Sequence, residues 1–408
     1  MNRLILIGNG FDLAHGLKTK YEHFIEWFWG KKWRQMALCY SPICEDLLCK
    51  FEIINGNSRI WQNIYLDNHI RWKDIAPSKI ITALIEEKDL FNTSFAPFFS
   101  NILRSIETKG WVDIENEYYK LLEQYTLVQY SEEEITKLNK QLAYLQELLT
   151  EYLLKINQQD ISVNDNIKKK IYEPVDLSDI SVEATDKLAE YIKWCKEQDV
   201  RDWEIKFNNY CINPTLTGLI SKVENYNRNP SEYNQPPSAF MLPDAIMLLD
   251  FNYTKTAQQY LLKNNGVFSH IHIHGHLENP TGMIFGYGDE FDDKYRRLQA
   301  LNNNECLANI KTIKYQESDN YRRVLQFIES APFQVYIMGH SCGNSDRTLL
   351  NTIFEHDNCI SIKPFFYKKE DGSDSYIETI QNISRNFNDM KLMRDRVVNK
   401  TYCEALTE

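Results

Sequence analysis

The chain has 408 residues, a formal net charge of -11, and 24 Tyr, 20 Phe and 8 Trp against only 15 Gly. At roughly 150 residues per domain this allows two or three domains, or one domain carrying a large insertion, and a hydrophobic share of 43% excludes wholesale disorder. So acidic a chain is a poor binder of phosphate backbones, which needs clustered Lys and Arg, so no nucleic-acid partner is expected.

Met1 leads through Asn2 and Arg3 into an apolar run at residues 4–7, the pattern of a strand buried on both faces. The run is too short for a signal h-region, and no other stretch approaches the ~20 apolar residues of a membrane span. Nine cysteines, among them Cys39, Cys44 and Cys49 at five-residue steps, match no common zinc spacing and read as reduced thiols. A soluble, cytoplasmic protein is expected, with no membrane partner.

From Leu17 to about Leu242 the pattern is almost wholly helical. Residues 111–125 predict a helix with Trp111, Ile114, Tyr118, Leu121 and Leu122 on one side. At Ser131 a capping box with Glu134 opens a second helix. There Ile135, Leu138, Leu142, Leu145, Leu149, Tyr152 and Ile156 recur at steps of three and four. That seam fits either packing inside the domain or the interface of a homo-oligomer. Polar sequence at 157–182 reads as a loop, and residues 227–243, with Pro230, Pro236, Pro237 and Pro243, as the return to a sheet. Strand-like runs come back at 245–251, 268–273, 283–285, 335–338 and 359–362. Strands alternating with helical pattern predict a parallel sheet, so the expected organisation is one α/β core, residues 1–16 and 243–408, interrupted by a helical insertion at 17–242.

Four places could carry chemistry. Gly8-Asn9-Gly10-Phe11-Asp12 follows the first strand, where a glycine turn and a helix N-terminus suit a phosphate, although Leu13 stands where a GxGxxG fingerprint needs its third glycine. Asn252 ends the strand at 245–251, at the edge where ligands of open parallel sheets gather. His270, His272, His274 and His276 share one face of a regular strand, but the ladder spans ~20 Å, too far for one ion, so no metal is expected and His274, before Gly275, is the preferred single functional histidine. Last comes Gly339-His340-Ser341-Cys342-Gly343, with Asp346 nearby. It matches G-x-S-x-G by letters, yet a triad needs an acid and then a histidine after the serine, and only His356 follows.

Residues 5–17, Ile5-Leu6-Ile7-Gly8-Asn9-Gly10-Phe11-Asp12-Leu13-Ala14-His15-Gly16-Leu17, resemble the N-terminal signature of AbiH-type bacteriophage abortive-infection proteins. Asp250-Phe251-Asn252-Tyr253-Thr254, Ile273-His274-Gly275, Ile284-Phe285-Gly286-Tyr287-Gly288 and Gly339-His340-Ser341 follow in that family's order, and Trp111, Asp113 and Glu115 look like its helical-region motif. The motif order is in turn similar to sirtuin-like NAD-binding domains. The resemblance implies a Rossmann-like (sirtuin-like) parallel-sheet core and NAD as substrate, with no further cofactor. It implies that Gly8, Asn9, Gly10, Phe11, Asp12, His15, Gly275, Gly339, His340, Ser341 and Asp346 bind the dinucleotide. Asn252 would hold the ribose or a water, and His274 would act as general base. No cysteine-based zinc module is visible, and Asn9 stands where a small residue is expected, which points away from protein deacylation. The expected function is hydrolysis of the nicotinamide–ribose bond in phage defence, triggered by a phage or host protein. Two other readings are a non-enzymatic nucleotide sensor that docks a partner, and a metal-dependent nuclease or phosphatase built on the histidine run with Asp289, Asp292 and Asp293.

Overall fold

A computed structural model describes residues 1–38, 41–54, 76–109, 113–210, 225, 228, 237–262 and 267–408. Five strands form a parallel sheet: β1 (Asn2–Ile7), β5 (Ile246–Asp250), β6 (Phe268–His272), β7 (Phe333–Met338) and β8 (Cys359–Phe365), in the order β6-β5-β1-β7-β8. β1 pairs with β5 through Leu4↔Met247 and with β7 through Leu4↔Val335. The chain thus adds strands on one side of β1 and then crosses to the other. Every residue of β1, β5, β7 and β8 is buried, which is why the centres of these strands read as apolar runs.

The expected strand at 283–285 is absent. Its residues are buried, but they run against the helical part of the chain, with the Met283 carbonyl accepting from Gln146 Nε2 at 3.2 Å and Gly286 N donating to Glu115 Oε1 at 3.0 Å. The flanking backbone is therefore engaged outside the sheet.

Helices follow in chain order: α1 (Asn9–Ala14), α2 (Tyr21–Ala37), α3 (Pro77–Glu86), α4 (Pro97–Lys109), α5 (Ile114–Glu123), α6 (Glu132–Ile156), α7 (Asp165–Tyr172), α8 (Thr185–Glu197) and α9 (Val200–Asn209), then α10 (Asp293–Ala300), α11 (Asn320–Ser330), α12 (Arg347–Phe354), α13 (Tyr376–Arg385) and α14 (Met390–Arg396). None of the described helices is long and apolar enough to cross a membrane.

The stretch 17–242 divides in two by what it packs on. α2 and α4–α6 share one core with a three-stranded antiparallel sheet, β2 (Ile43–Glu45), β3 (Cys49–Ile53) and β4 (Phe91–Phe95), within the stretch expected to be almost wholly helical. β3 alternates buried and half-buried residues, the signature of a half-covered strand, over only five positions. α7–α9 instead cover one face of the parallel sheet, through Ile167, Ile171, Trp203 and Phe207 against Ile5, Ile7 and Leu248. α11–α14 cover the other face, through Val324, Ile328, Leu349 and Ile383 against Leu4, Leu6 and Val335.

α7 lies within the expected loop at 157–182. Asn164 caps it by accepting from Asn166 and Ile167 N–H groups, and Ile167 and Ile171 are its buried pair, too few to show a period in sequence. Arg3, fully buried in β1, ties the end of this helix to the sheet by donating to the carbonyls of Ile171 at 3.0 Å and Glu173 at 2.7 Å.

Ser131 caps α6 as expected, and the seven seam residues are all buried inside the chain's own core, so the intramolecular alternative is the one realised. α5 starts at Asp113, whose side chain accepts from Asn116 N at 2.9 Å; Trp111, like most of the expected return segment 227–243, lies outside the described residues. Cys44, Cys49, Cys195, Cys306, Cys342, Cys359 and Cys403 are thiols rather than disulfides.

Candidate functional site

Because β1 lies between β5 and β7, its carboxyl end is flanked by Asn252 on one side and Gly339 on the other. This is the point where the direction of strand addition reverses, the usual ligand crevice of an open α/β sheet.

The glycines there serve a backbone contact. Gly10 N donates to the Gly339 carbonyl at 2.8 Å, Gly8 N to Met338 at 3.3 Å, and Phe11 N to Gly8 at 2.8 Å. A Cβ on Gly8 would sit 2.6 Å from His340 Cα, and one on Gly10 2.8 Å from Gly339 Cα. Residues 8–10 thus lie directly on residues 339–340, and these three N–H groups are engaged with the protein's own carbonyls.

The residues expected at a dinucleotide sort into a rim and a floor. Asn9 and Ser341 are exposed; Gly10, His15, Gly275 and Gly339 are half-buried; Gly8, Phe11, Asp12, His340 and Asp346 are buried. His15 points at the Phe11 carbonyl and the Tyr260 hydroxyl, 2.7 and 2.5 Å away, and burial lowers its pKa. Asp12 accepts from the Thr254 hydroxyl at 2.7 Å, and burial pushes its carboxyl up to about 7.

Asn252 is held on three sides. Its Nδ2 donates to the Gly8 carbonyl at 3.0 Å, its backbone N–H to Asp250 Oδ1 at 2.9 Å, and its own carbonyl lies 2.9 Å from His272 Nδ1. The amide is therefore fixed against the glycine turn.

His274 leaves the histidine ladder. It is buried, with Nε2 at 3.1 Å from Asp346 Oδ1 and 3.2 Å from the Tyr315 hydroxyl. His270 and His272 stay on the sheet face beside Asp250. The acids expected to help that run do not approach it: Asp289 pairs with Arg347 at 3.2 Å, and Asp292 caps α10.

Asp346 is the centre of a buried charge chain. Lys311 Nζ lies 2.8 Å from Asp346 Oδ1 and 2.8 Å from Glu115 Oε2, and His340 Nε2 lies 3.8 Å from Asp346 Oδ2. Burial works to raise Asp346, but Lys311 first, then His274 and His340, hold it well below the usual carboxylate range. Burial works equally against the Lys311 ammonium, and Asp346 and Glu115 together hold it above its ordinary value. Glu115 is pushed up to about 7 by burial, with Lys311 opposing and Asp346 and Asp113 adding to the rise. Burial and Lys311 lower His274 against the opposing pull of Asp346, and burial takes His340 down to about 4, so the His340 imidazole is neutral at pH 7.

An anionic Asp346, a cationic Lys311, a neutral imidazole and a carboxyl titrating near neutrality are the components of general acid–base catalysis. Lys311 and Tyr315, from the single turn Lys311–Lys314 and its continuation, carry no motif in the sequence; Glu115 is visible only through the family-like helical motif. The histidine that follows Ser341 in the chain does not serve it as a nucleophile: His356 packs at a tilt on Phe333, the first residue of β7, and pairs with Glu329, at the opposite edge of the sheet. A cavity of about 520 Å³, lined by Trp27, Lys31, Glu151, Tyr152 and Lys155 among others, lies between α2 and α6, and no strand-end residue lines it.

Residues 4–368 match the family described as Bacteriophage abortive infection AbiH. No curated protein and no solved structure matches the chain. The matched span runs from β1 to just beyond β8 and contains the glycine turn, Asn252, His274 and the whole Glu115–Lys311–Asp346 chain. The protein belongs to the AbiH family, whose role is abortive-infection defence against bacteriophage.

Proposed function

We propose that this defence protein binds NAD or a closely related nucleotide at the carboxyl edge of the parallel sheet and hydrolyses its nicotinamide–ribose bond. The carrying observation is the buried Glu115–Lys311–Asp346–His274 chain beside the strand-order reversal between β1 and β7. Counted by its own strands the sheet runs 3-2-1-4-5, the order of doubly wound dinucleotide-binding sheets, which supports a Rossmann-like reading of the core.

In this reading the exposed Asn9 and Ser341 meet the dinucleotide at the rim, and Asn252 presents Oδ1 to the ribose or to a water while its Nδ2 stays on Gly8. Departure of nicotinamide leaves oxocarbenium character on the ribose, and a carboxylate near it lowers the barrier. Glu115, poised near neutrality, supplies that group. His274, whose Nε2–H is held by anionic Asp346 at 3.1 Å, takes up the proton of the attacking water at its other ring nitrogen, and Asp346 stabilises the imidazolium that results.

The test is NAD consumption by purified protein, in the presence of phage lysate, in a cytoplasm-like buffer. Asn252→Ala, His274→Ala and Glu115→Gln each lower the rate by about 100-fold or more, the usual scale for a positioned acid or base. Wild-type protein that leaves NAD untouched sinks the hydrolase.

A second reading, a nucleotide sensor, is favoured by one observation: Lys311 is sealed under Glu115, with 1% of its side chain exposed. NAD binding by calorimetry with no turnover selects the sensor. Either way α5, which carries Glu115, must move for a ligand to reach Asp346, which makes the helical part of the chain the natural receiver of a phage or host protein signal.

A further inference from the structure

β5 and β6 bring a second group of polar side chains together, apart from the Asp346 chain. In the parallel register Asp250 lies opposite His272 and Leu248 opposite His270, so the carboxylate and both imidazoles share one face of the sheet. Asp250 is 1% exposed at its side chain, His270 9% and His272 14%. His270 Nε2 is 3.0 Å and His272 Nδ1 3.6 Å from the same oxygen, Asp250 Oδ2. One donor atom from each of the three residues lies within 4.8 Å of the other two. An ion with tetrahedral bonds of about 2.05 Å holds its ligand atoms about 3.3 Å apart, so small rotations of these side chains suffice.

Two further features fit a metal centre. His272 Nδ1 lies 2.9 Å from the Asn252 carbonyl, so the ring is already oriented by a backbone carbonyl, as ligating histidines usually are. The only ionisable partners that face Asp250 in an ion pair, among the described residues, are these two imidazoles. Asp12, 1% exposed and close enough for Asp250 to oppose its charge, has an Oδ1 with no hydrogen-bond partner among the described residues. A buried Asp250 carboxyl beside two imidazoles, with no Lys or Arg paired to it among the described residues, forms a donor set that a cation completes.

We propose that Asp250, His270 and His272 bind one divalent transition-metal ion of the zinc type, with a fourth coordination position open. Imidazole nitrogen selects zinc, cobalt or nickel over magnesium and calcium, which take oxygen ligands. Bound there, the ion braces the peptide of Asn252 through His272 and so holds the amide that meets Gly8. The proposal does not depend on NAD being the substrate.

Full-length protein carrying no histidine tag, stripped with a chelator, is titrated with cobalt(II) and followed by its visible absorption, then displaced with zinc. One equivalent saturates, with nitrogen/oxygen-type bands and no thiolate charge-transfer band. His270→Gln and His272→Gln, checked for wild-type circular dichroism, each weaken binding by about 100-fold or more. The absence of saturable cobalt binding by wild type overturns the site. So does a thiolate band, which places the ion on cysteine, or undiminished binding by the His270→Gln/His272→Gln double variant. The wild-type spectrum decides even if a variant fails to fold.

Discussion

Lys311→Met lowers the free energy of unfolding by about 3–5 kcal/mol at pH 8, because it leaves two buried carboxyls without their cation. Among the described residues, Lys311 is the only side chain that joins both Glu115 and Asp346, at 2.8 Å each, and its own exposure is 1%. Methionine is one atom shorter but keeps most of the apolar stem, so the loss reports mainly charge rather than a cavity.

The pH dependence separates this from a packing defect. Glu115 has a folded value raised to about 7 against roughly 4.3 unfolded, so as pH rises through that window the folded state must release a proton the unfolded state has already lost, and wild-type stability falls. Removing Lys311 takes away the opposing influence, moves the Glu115 value higher and extends that fall above pH 7. Asp346 works the other way. Its folded value is depressed, so its contribution is present above roughly pH 3.9 and is lost as pH falls through the folded value; without Lys311 much of that contribution disappears. The deficit of Lys311→Met therefore widens from pH 5 to pH 8, and adding Glu115→Gln recovers part of it. Urea denaturation at the two pH values measures this. A deficit under about 1 kcal/mol at pH 8 means that Lys311 does not hold the cluster.

The same cluster shows why the site was only half legible in the sequence. Gly8, Asn252, His274 and Gly339 were visible because a buried parallel strand is a continuous apolar run, and polar residues directly after it stand out. Glu115 and Lys311 arrive from positions separated from Asp346 by long stretches of chain, and neither position is marked by period or spacing. The fold divides in the same way. Strands covered on both faces, such as Phe333–Met338, announced themselves, whereas the five-residue strands Cys49–Ile53 and Phe91–Phe95 sit among helices and alternate too briefly to compete with the helical pattern around them. The helical stretch also proved inseparable from the site, since it supplies Glu115 and, through α7–α9, one face of the sheet. Excising residues 17–242 would strip that face and remove Glu115 with it, so the helical stretch and the site cannot be separated by deletion.

Glycine placement was legible, but its meaning was not, and Gly339→Ala exposes the difference. Gly339 has φ +76°, and a Cβ there would lie 2.1 Å from Phe11 N and 2.5 Å from the Gly10 carbonyl carbon. Gly16 has nearly the same conformation, φ +77°, with nothing within 4 Å of the added atom. The left-handed backbone costs an L-residue about 1–2 kcal/mol, and Gly16→Ala is expected to lose only that. Gly339→Ala carries the same term plus overlap with backbone that cannot rotate away, about 1–3 kcal/mol more, for a total of about 2–5 kcal/mol. The difference between the two variants isolates the close approach of the β1 and β7 loops. Relief of the overlap must separate Gly10 from Gly339, break their 2.8 Å hydrogen bond and shift His340 off Phe251, on which it packs with ring centroids 4.0 Å apart. Gly339→Ala is therefore expected to weaken nucleotide binding as well as folding, while Gly16→Ala spares binding. Equal destabilisation of the two variants would mean that this loop contact is looser than its geometry requires, and that the turn after β1 keeps its glycines for a ligand instead.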